Sequence, residues 1–218
     1  MTERRDLYPG YDVLAKRDGP SWNPQTRRVV DARLAIGTEE RSALDDGAWA
    51  VLVALCRRIV PQPPDRAAPV PLAAMVDRKI AAGASDGYRH ADMLPHAEAW
   101  RRGLAAIDEE ARAAHGAGFA DLDAARQDAL LKRIQSGEAT HAAWAGMKPA
   151  AFFKTRVLRD VVGSYYAHPT AWSEIGFGGP ASPRGYVRMD FDRRDPWEAA
   201  EAAPGLEAEA RRENRRVR

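Results

Sequence analysis

Apolar residues recur every three to four positions through the middle of the chain, and turn residues punctuate them. Asn23 and Pro24 read as the N-cap and first residue of a short helix through Leu34. Ser42-Ala43-Leu44-Asp45 resembles a capping box, after which Leu44, Ala48, Val51, Leu52, Leu55 and Ile59 keep helical spacing until Pro61. Pro71 opens a shorter helix with Leu72, Met75, Val76 and Ile80, closed by Gly83, and residues 83–93 read as loop. Pro95 opens a long helix carrying Leu94, Ala97, Leu104, Ile107 and Ala111 on one face and ending at His115-Gly116. Asp121 starts another, with Leu122, Ala125, Ala129, Leu130 and Ile134 inside and Ser136-Gly137 as the stop. From Pro149 onward Phe153, Val157, Val161 and Tyr165 recur at intervals of four. Alanine and straight-chain residues dominate and β-branched alternation is nearly absent. The expected fold is all-α, an irregular bundle of about five or six helices.

Both chain ends break this pattern. The first residues (LYPGYDVLAKRDGPSWNP) are polar with Pro, Gly and Trp, and read as an extended arm. Tyr8, Tyr11 and Trp22 indicate that the arm packs on something, since a freely solvated tail rarely carries rings. After Tyr166, Gly176, Gly178, Gly179 and Gly185 cluster with prolines and with Trp172, Phe177, Tyr186 and Phe191. Helix is not expected to continue through this stretch, which reads as ordered, irregular chain laid across a surface. Asp190 to Arg218 holds seven Arg and eight acidic residues, nearly cancelling, as in a solvated helix or frayed tail. The predicted organisation is an extended N-terminal arm (1–24), a helical domain (25–166), an ordered Gly/Pro/aromatic segment (167–191) and a charged C-terminal tail (192–218).

Composition narrows the function without choosing it. A net charge of +2 over 218 residues gives no general pull towards nucleic acid or acidic membranes. The longest apolar run, Ala48 to Cys56, is nine residues, where a membrane span needs about twenty. Arg4-Arg5 has no apolar stretch behind it, so no export signal is expected and the default compartment is the cytoplasm. The single cysteine, Cys56, excludes an internal disulfide.

Candidate chemistry is sparse. The five histidines form no i,i+4 pair; His90 with Asp86, Asp92 and His96 offers ligand atoms, but at no closed-site spacing. His168 precedes a proline and reads as a hydrogen-bonding turn residue before it reads as a base. Cys56 falls on an apolar helix face, where a thiol is inert. Paired carboxylates such as Asp45-Asp46 and Glu109-Glu110 are explained by capping and solvation, and no carboxylate stands isolated in an apolar run. Gly176 to Pro180 looks like a dinucleotide loop but lacks the strand before it and the helix after it, so a Gly/Pro turn is favoured.

The segment from Leu158 to Tyr186, preceded by FADLDAARQDALLKRIQSGE, resembles the gluconate 2-dehydrogenase subunit 3 family. The resemblance rests on Gly163, Tyr165 or Tyr166, Pro169, Trp172, Ile175, Gly176, Phe177, Gly179, Pro180, Gly185 and Tyr186. It implies a non-catalytic small subunit with no cofactor of its own. Its partner would be a large flavoprotein dehydrogenase that holds FAD and oxidises a sugar or alcohol, passing electrons to a cytochrome or another acceptor. Many relatives begin with a twin-arginine export signal, which is not seen here; either the complex stays in the cytoplasm, or the partner carries the signal, or the start of the sequence has been trimmed. The expected partner interface comprises Tyr8, Tyr11 and Trp22 from the first arm. From the second it takes Tyr165, Tyr166, His168, Pro169, Trp172, Ile175, Phe177, Gly179, Pro180 and Tyr186. Two rival readings are a self-sufficient helical enzyme using His168, and a small-ligand binding module with the Gly/Pro segment as a lid.

Overall fold

A computed structural model describes residues 5–83, 91, 93–188, 191 and 193–217. Most of the predicted loop 83–93, with Asp86, His90 and Asp92 of the candidate ligand set, lies outside the described residues, as do Arg4, Asp190 and Arg218. The described residues contain eight α-helices and no strand: α1 (Pro24–Leu34), α2 (Asp46–Ile59), α3 (Leu72–Ala81), α4 (His96–His115), α5 (Ala124–Ser136), α6, α7 (Pro169–Glu174) and α8 (Glu207–Asn214). Helix α6 is continuous over 149–166: Pro149–Phe152 is α-helical, Phe153–Leu158 is wound as a π-helix, and Arg159–Tyr166 is α-helical again. The all-α expectation holds, with rather more helices than five or six because both chain ends contribute. The chain forms two units, one from residues 1–35 with 166–218 and the other from residues 36–165.

In the unit of residues 36–165, α2 packs on α3 and α4, and α5 packs on α6. The cap of α2 is Asp45, whose side chain accepts the Ala48 N–H at 2.9 Å. Ser42 caps nothing; its N–H and that of Ala43 go to the buried carboxylate of Asp77 on α3. Helix α5 likewise starts later than expected. Asp121 closes a 3₁₀ turn and Asp123 is the cap, so Ala125 and Ala129 face outward while Gln127, Leu130, Leu131 and Ile134 are buried. Helices α4 and α6 approach closely at Gly103. A Cβ on Gly103 would lie 2.1 Å from the Phe152 ring, which meets Trp100 edge-on at 5.6 Å and Trp144 at 5.9 Å. Only glycine admits that ring against the helix backbone.

The other unit is built from the chain ends. Asp12 caps a 3₁₀ turn, Val13–Lys16, and Asn23 caps α1 by accepting the Thr26 N–H at 2.8 Å. Trp22 and Ser182 form a single parallel bridge, extended by the Asn23 N–H donating to the Ser182 carbonyl at 2.8 Å. Helix resumes after Tyr166, contrary to expectation, because His168 supplies an N-cap acceptor and Pro169 a first-turn residue that needs no donor. Helix α8 is docked rather than solvated all round. Its Asn214 is 1 % exposed, accepts the Ala200 N–H, and donates to the carbonyls of Ala200 and Pro9.

Candidate functional site

Tyr11, Val13, Trp22, Val30, Trp172 and Val217 form the core of the unit made by the chain ends. Trp172 is its pivot: Trp22 meets it edge-on at 6.5 Å, Phe177 edge-on at 5.9 Å, and its indole N–H donates to the Tyr166 carbonyl at 2.6 Å. Two glycines let the chain wrap these rings. Gly176 (φ +66°) sits against Tyr8, where a Cβ would lie 2.5 Å from the ring, and Gly179 (φ +68°) fits between Trp172 and Trp22.

From this buried base the chain carries rings outward. Phe177 stacks on Tyr186 at 6.4 Å with planes 17° apart, and the two are 40 % and 67 % exposed. With Tyr8, Gly178, Arg184, Arg188 and Trp197 they wall a cleft of about 430 Å³. The Arg184 guanidinium lies over Trp197, 4.2 Å from its centroid, and donates to Ser21 Oγ at 3.2 Å. Arg188 pairs with Glu198 at 3.0 Å.

The thirteen predicted interface residues therefore divide. Tyr11, Trp22, Tyr165, His168, Pro169, Trp172 and Gly179 are buried; Tyr8 and Pro180 are half-buried; Tyr166, Ile175, Phe177 and Tyr186 are exposed. Tyr165 belongs to the unit of residues 36–165, where Arg66 donates to its hydroxyl at 3.4 Å. His168 is buried with Nδ1 accepting the Thr170 N–H at 3.3 Å, an arrangement suited to capping α7 rather than to attacking a substrate.

The sequence patterns missed one constellation, in the unit of residues 36–165. Asp160 is 2 % exposed, and its carboxylate receives Lys79 Nζ at 2.6 Å, His96 Nε2 at 2.7 Å and the Trp100 indole N–H at 2.7 Å. Burial pushes this carboxyl up, but the hydrogen bonds from His96, Lys79 and Trp100 outweigh it and hold the group below its usual range. The signal was present: Asp160 stands on the inward stripe of α6 between Val157 and Val161, an isolated carboxylate of the kind thought absent. Its chemistry is that of a satisfied anion joining α3, α4 and α6. Burial pushes the Cys56 thiol up to about 12, in keeping with an inert thiol.

Among the described residues no three His, Cys, Asp or Glu side chains converge as a metal site would require, and no helix is long and apolar enough to cross a membrane. Residues 46–179, more than half of the chain, match the gluconate 2-dehydrogenase subunit 3 family. The chain belongs to that family. The matched region spans α2 to α7 and ends at Gly179, the glycine seated between the two tryptophans. The family is named for a subunit of a dehydrogenase complex. The gluconate 2-dehydrogenase subunit 3 region includes Trp172 and Phe177, while Tyr186 and Trp197 lie beyond it. Comparison with curated proteins and with solved structures finds no match.

Proposed function

We propose that this chain is a non-catalytic accessory subunit that binds a large FAD-dependent sugar or alcohol dehydrogenase and stabilises its folded, flavin-loaded form. The observation that carries this reading is the stacked Phe177–Tyr186 pair, held out to solvent on a base of buried Trp172 and Trp22. Rings fixed from beneath and exposed at the tip present apolar area with little further loss of side-chain freedom, as interface anchors do. Ile175 and Tyr166 add exposed apolar surface in the same unit. Stabilisation follows from mass action, since a subunit that binds only the folded partner lowers that state's free energy. A permanent interface of this kind buries about 2,000 Å² or more. Catalysis, flavin and the electron path to a cytochrome or other acceptor then belong to the partner.

Co-expression with a candidate large FAD-dependent dehydrogenase chain from the same organism tests the reading. Flavin content and soluble yield of the large chain should fall when this subunit is omitted. They should fall comparably with Phe177→Ala/Tyr186→Ala, a variant that itself stays folded. Equal flavin loading with and without the subunit overturns the proposal.

A further inference from the structure

Every exposed large hydrophobic side chain among the described residues belongs to the unit of the chain ends, and two of them, Val29 and Leu34, stand on α1. Of the eleven residues of α1 only Val30 is buried, in the core that holds Trp22 and Trp172. The helix thus turns most of its surface outward, Val29 and Leu34 included.

The charges around α1 are unevenly matched. Arg17 pairs with Asp31 of α1 and with Asp18, and Arg27 lies 3.9 Å from Asp18, so both acids of this stretch are engaged. Arg28 bonds Gln25 one turn back and Arg33 bonds a backbone carbonyl; neither pairs with a carboxylate among the described residues. Arg33 is held from two sides. Its guanidinium lies over the Trp172 ring, 5.9 Å from the centroid, and Nη1 donates to the Ala167 carbonyl at 2.9 Å. Its Nε and Nη2 make no hydrogen bond among the described residues, and neither is sealed from solvent. Burial pushes the pKa of this group down, and no carboxylate opposes that push. Val29 stands one turn before Arg33 on the same flank, and Tyr166, 48 % exposed, precedes the carbonyl that Arg33 holds.

We propose that this corner of α1 and α7 is a docking surface for an Asp or Glu side chain of the large dehydrogenase subunit, with Arg33 donating to its carboxylate through Nε and Nη2 and with Val29 and Tyr166 supplying apolar area beside the pair. The proposal rests on the accessory-subunit reading and gives that partner a chemistry. An acid is selected because the surface has cations to spare and its own carboxylates are taken. A guanidinium fork already fixed in place meets a carboxylate with two parallel hydrogen bonds and little further loss of freedom, as arginine anchors at interfaces do. Helix α1 lies outside residues 46–179, so the surface adds to the region that the family match covers.

The full chain is co-expressed with the tagged large dehydrogenase chain of the experiment above, and dissociation of the complex is timed at low and at high salt. Arg33→Met keeps an apolar stem over Trp172 and removes the fork. At low salt its complex should dissociate at least about tenfold faster, the scale of a lost charged hydrogen bond, and should lose part of its salt dependence. Val29→Asp, at an exposed position, leaves Arg33 in place but gives it an acid one turn away, and should speed dissociation too. In the Arg33→Lys chain, carbodiimide should couple position 33 to an Asp or Glu of the large chain. Unchanged dissociation with either Arg33→Met or Val29→Asp, or coupling of position 33 only to a second copy of this chain, overturns the docking surface and leaves the accessory reading standing. Absence of any complex with the unaltered chain overturns both.

Discussion

The two units differ in which buried polar groups they leave without a partner. In the unit of residues 36–165 the buried acids collect donors from separate elements. Asp160 takes Lys79, His96 and Trp100, Glu110 takes the Trp144 indole and the His141 N–H, and Asp77 takes two backbone N–H groups. Unpartnered atoms occur there too, His96 Nδ1 and Arg156 Nε, but each belongs to a group that is hydrogen-bonded through another of its atoms. In the unit of the chain ends, Tyr11, Lys16 and Trp22 each leave unpaired the single polar atom they have. Buried polar networks specify a fold when satisfied and destabilise it when not. The first arrangement belongs to a scaffold, whereas the second leaves three donors buried without an acceptor.

Four measurements sharpen or break that contrast. The largest effect should come from Asp160→Ala, which removes the acceptor shared by Lys79, His96 and Trp100; we expect a loss of about 3–5 kcal/mol in urea unfolding. A loss under about 1 kcal/mol would mean that the network does not hold the unit. Because the folded Asp160 carboxyl lies below its ordinary value of 3.8, its contribution is complete above that pH. It fades as the pH drops through the lower folded value, so Asp160→Asn should flatten this acid limb.

Lys16 should add a second limb of the same sign at higher pH. Its folded value of about 8 lies below the ordinary 10.5, so between these the unfolded chain binds more protons and stability rises with pH. Tyr11 and Cys56, both raised to about 12, act in the contrary sense at higher pH. Subtracting the Lys16→Met profile removes their share. Wild type should gain about 2 kcal/mol on the variant from pH 8 to pH 10, and a flat difference would show that the ammonium is not desolvated. The smallest effect belongs to Tyr186→Ala. With the ring 67 % exposed, thermal unfolding should register under about 1 kcal/mol; a larger loss would make the ring part of the core rather than the rim of a docking surface.

Helices α2 to α6 were legible as stripes of apolar residues bounded by Pro and Gly, and the Gly116 and Gly137 stops lie where left-handed residues end α4 and α5. Capping was legible by residue type but not by position: three acids or hydroxyls often stand near a helix start, and only backbone geometry selects Asp45 over Ser42 or Asp123 over Asp121. The chain ends misled because their glycines and prolines were read as breaks. Here Gly176 and Gly179 exist to admit rings, and Pro169 starts a helix. The residues of the aromatic cleft were partly foreseen, in Tyr8, Phe177 and Tyr186. Arg184 and Trp197 were not, and neither was the burial of Lys16, since nothing in a lone Lys, Arg or Trp announces its neighbours.

What the amino-acid order alone determined was local: which stretches between Pro24 and Tyr166 are helical, that no multi-cysteine site can exist, and, through the Leu158–Tyr186 segment, the resemblance to the family. Periodicity and covalent chemistry act over a few residues, so they can be read without a fold. What only the tertiary structure decided was which polar groups are satisfied. Asp160 gains three donors from α3 and α4, whereas Lys16 is buried against a glycine 162 positions away along the chain. Burial and pairing are properties of neighbours in space, and for these groups folding chooses the neighbours.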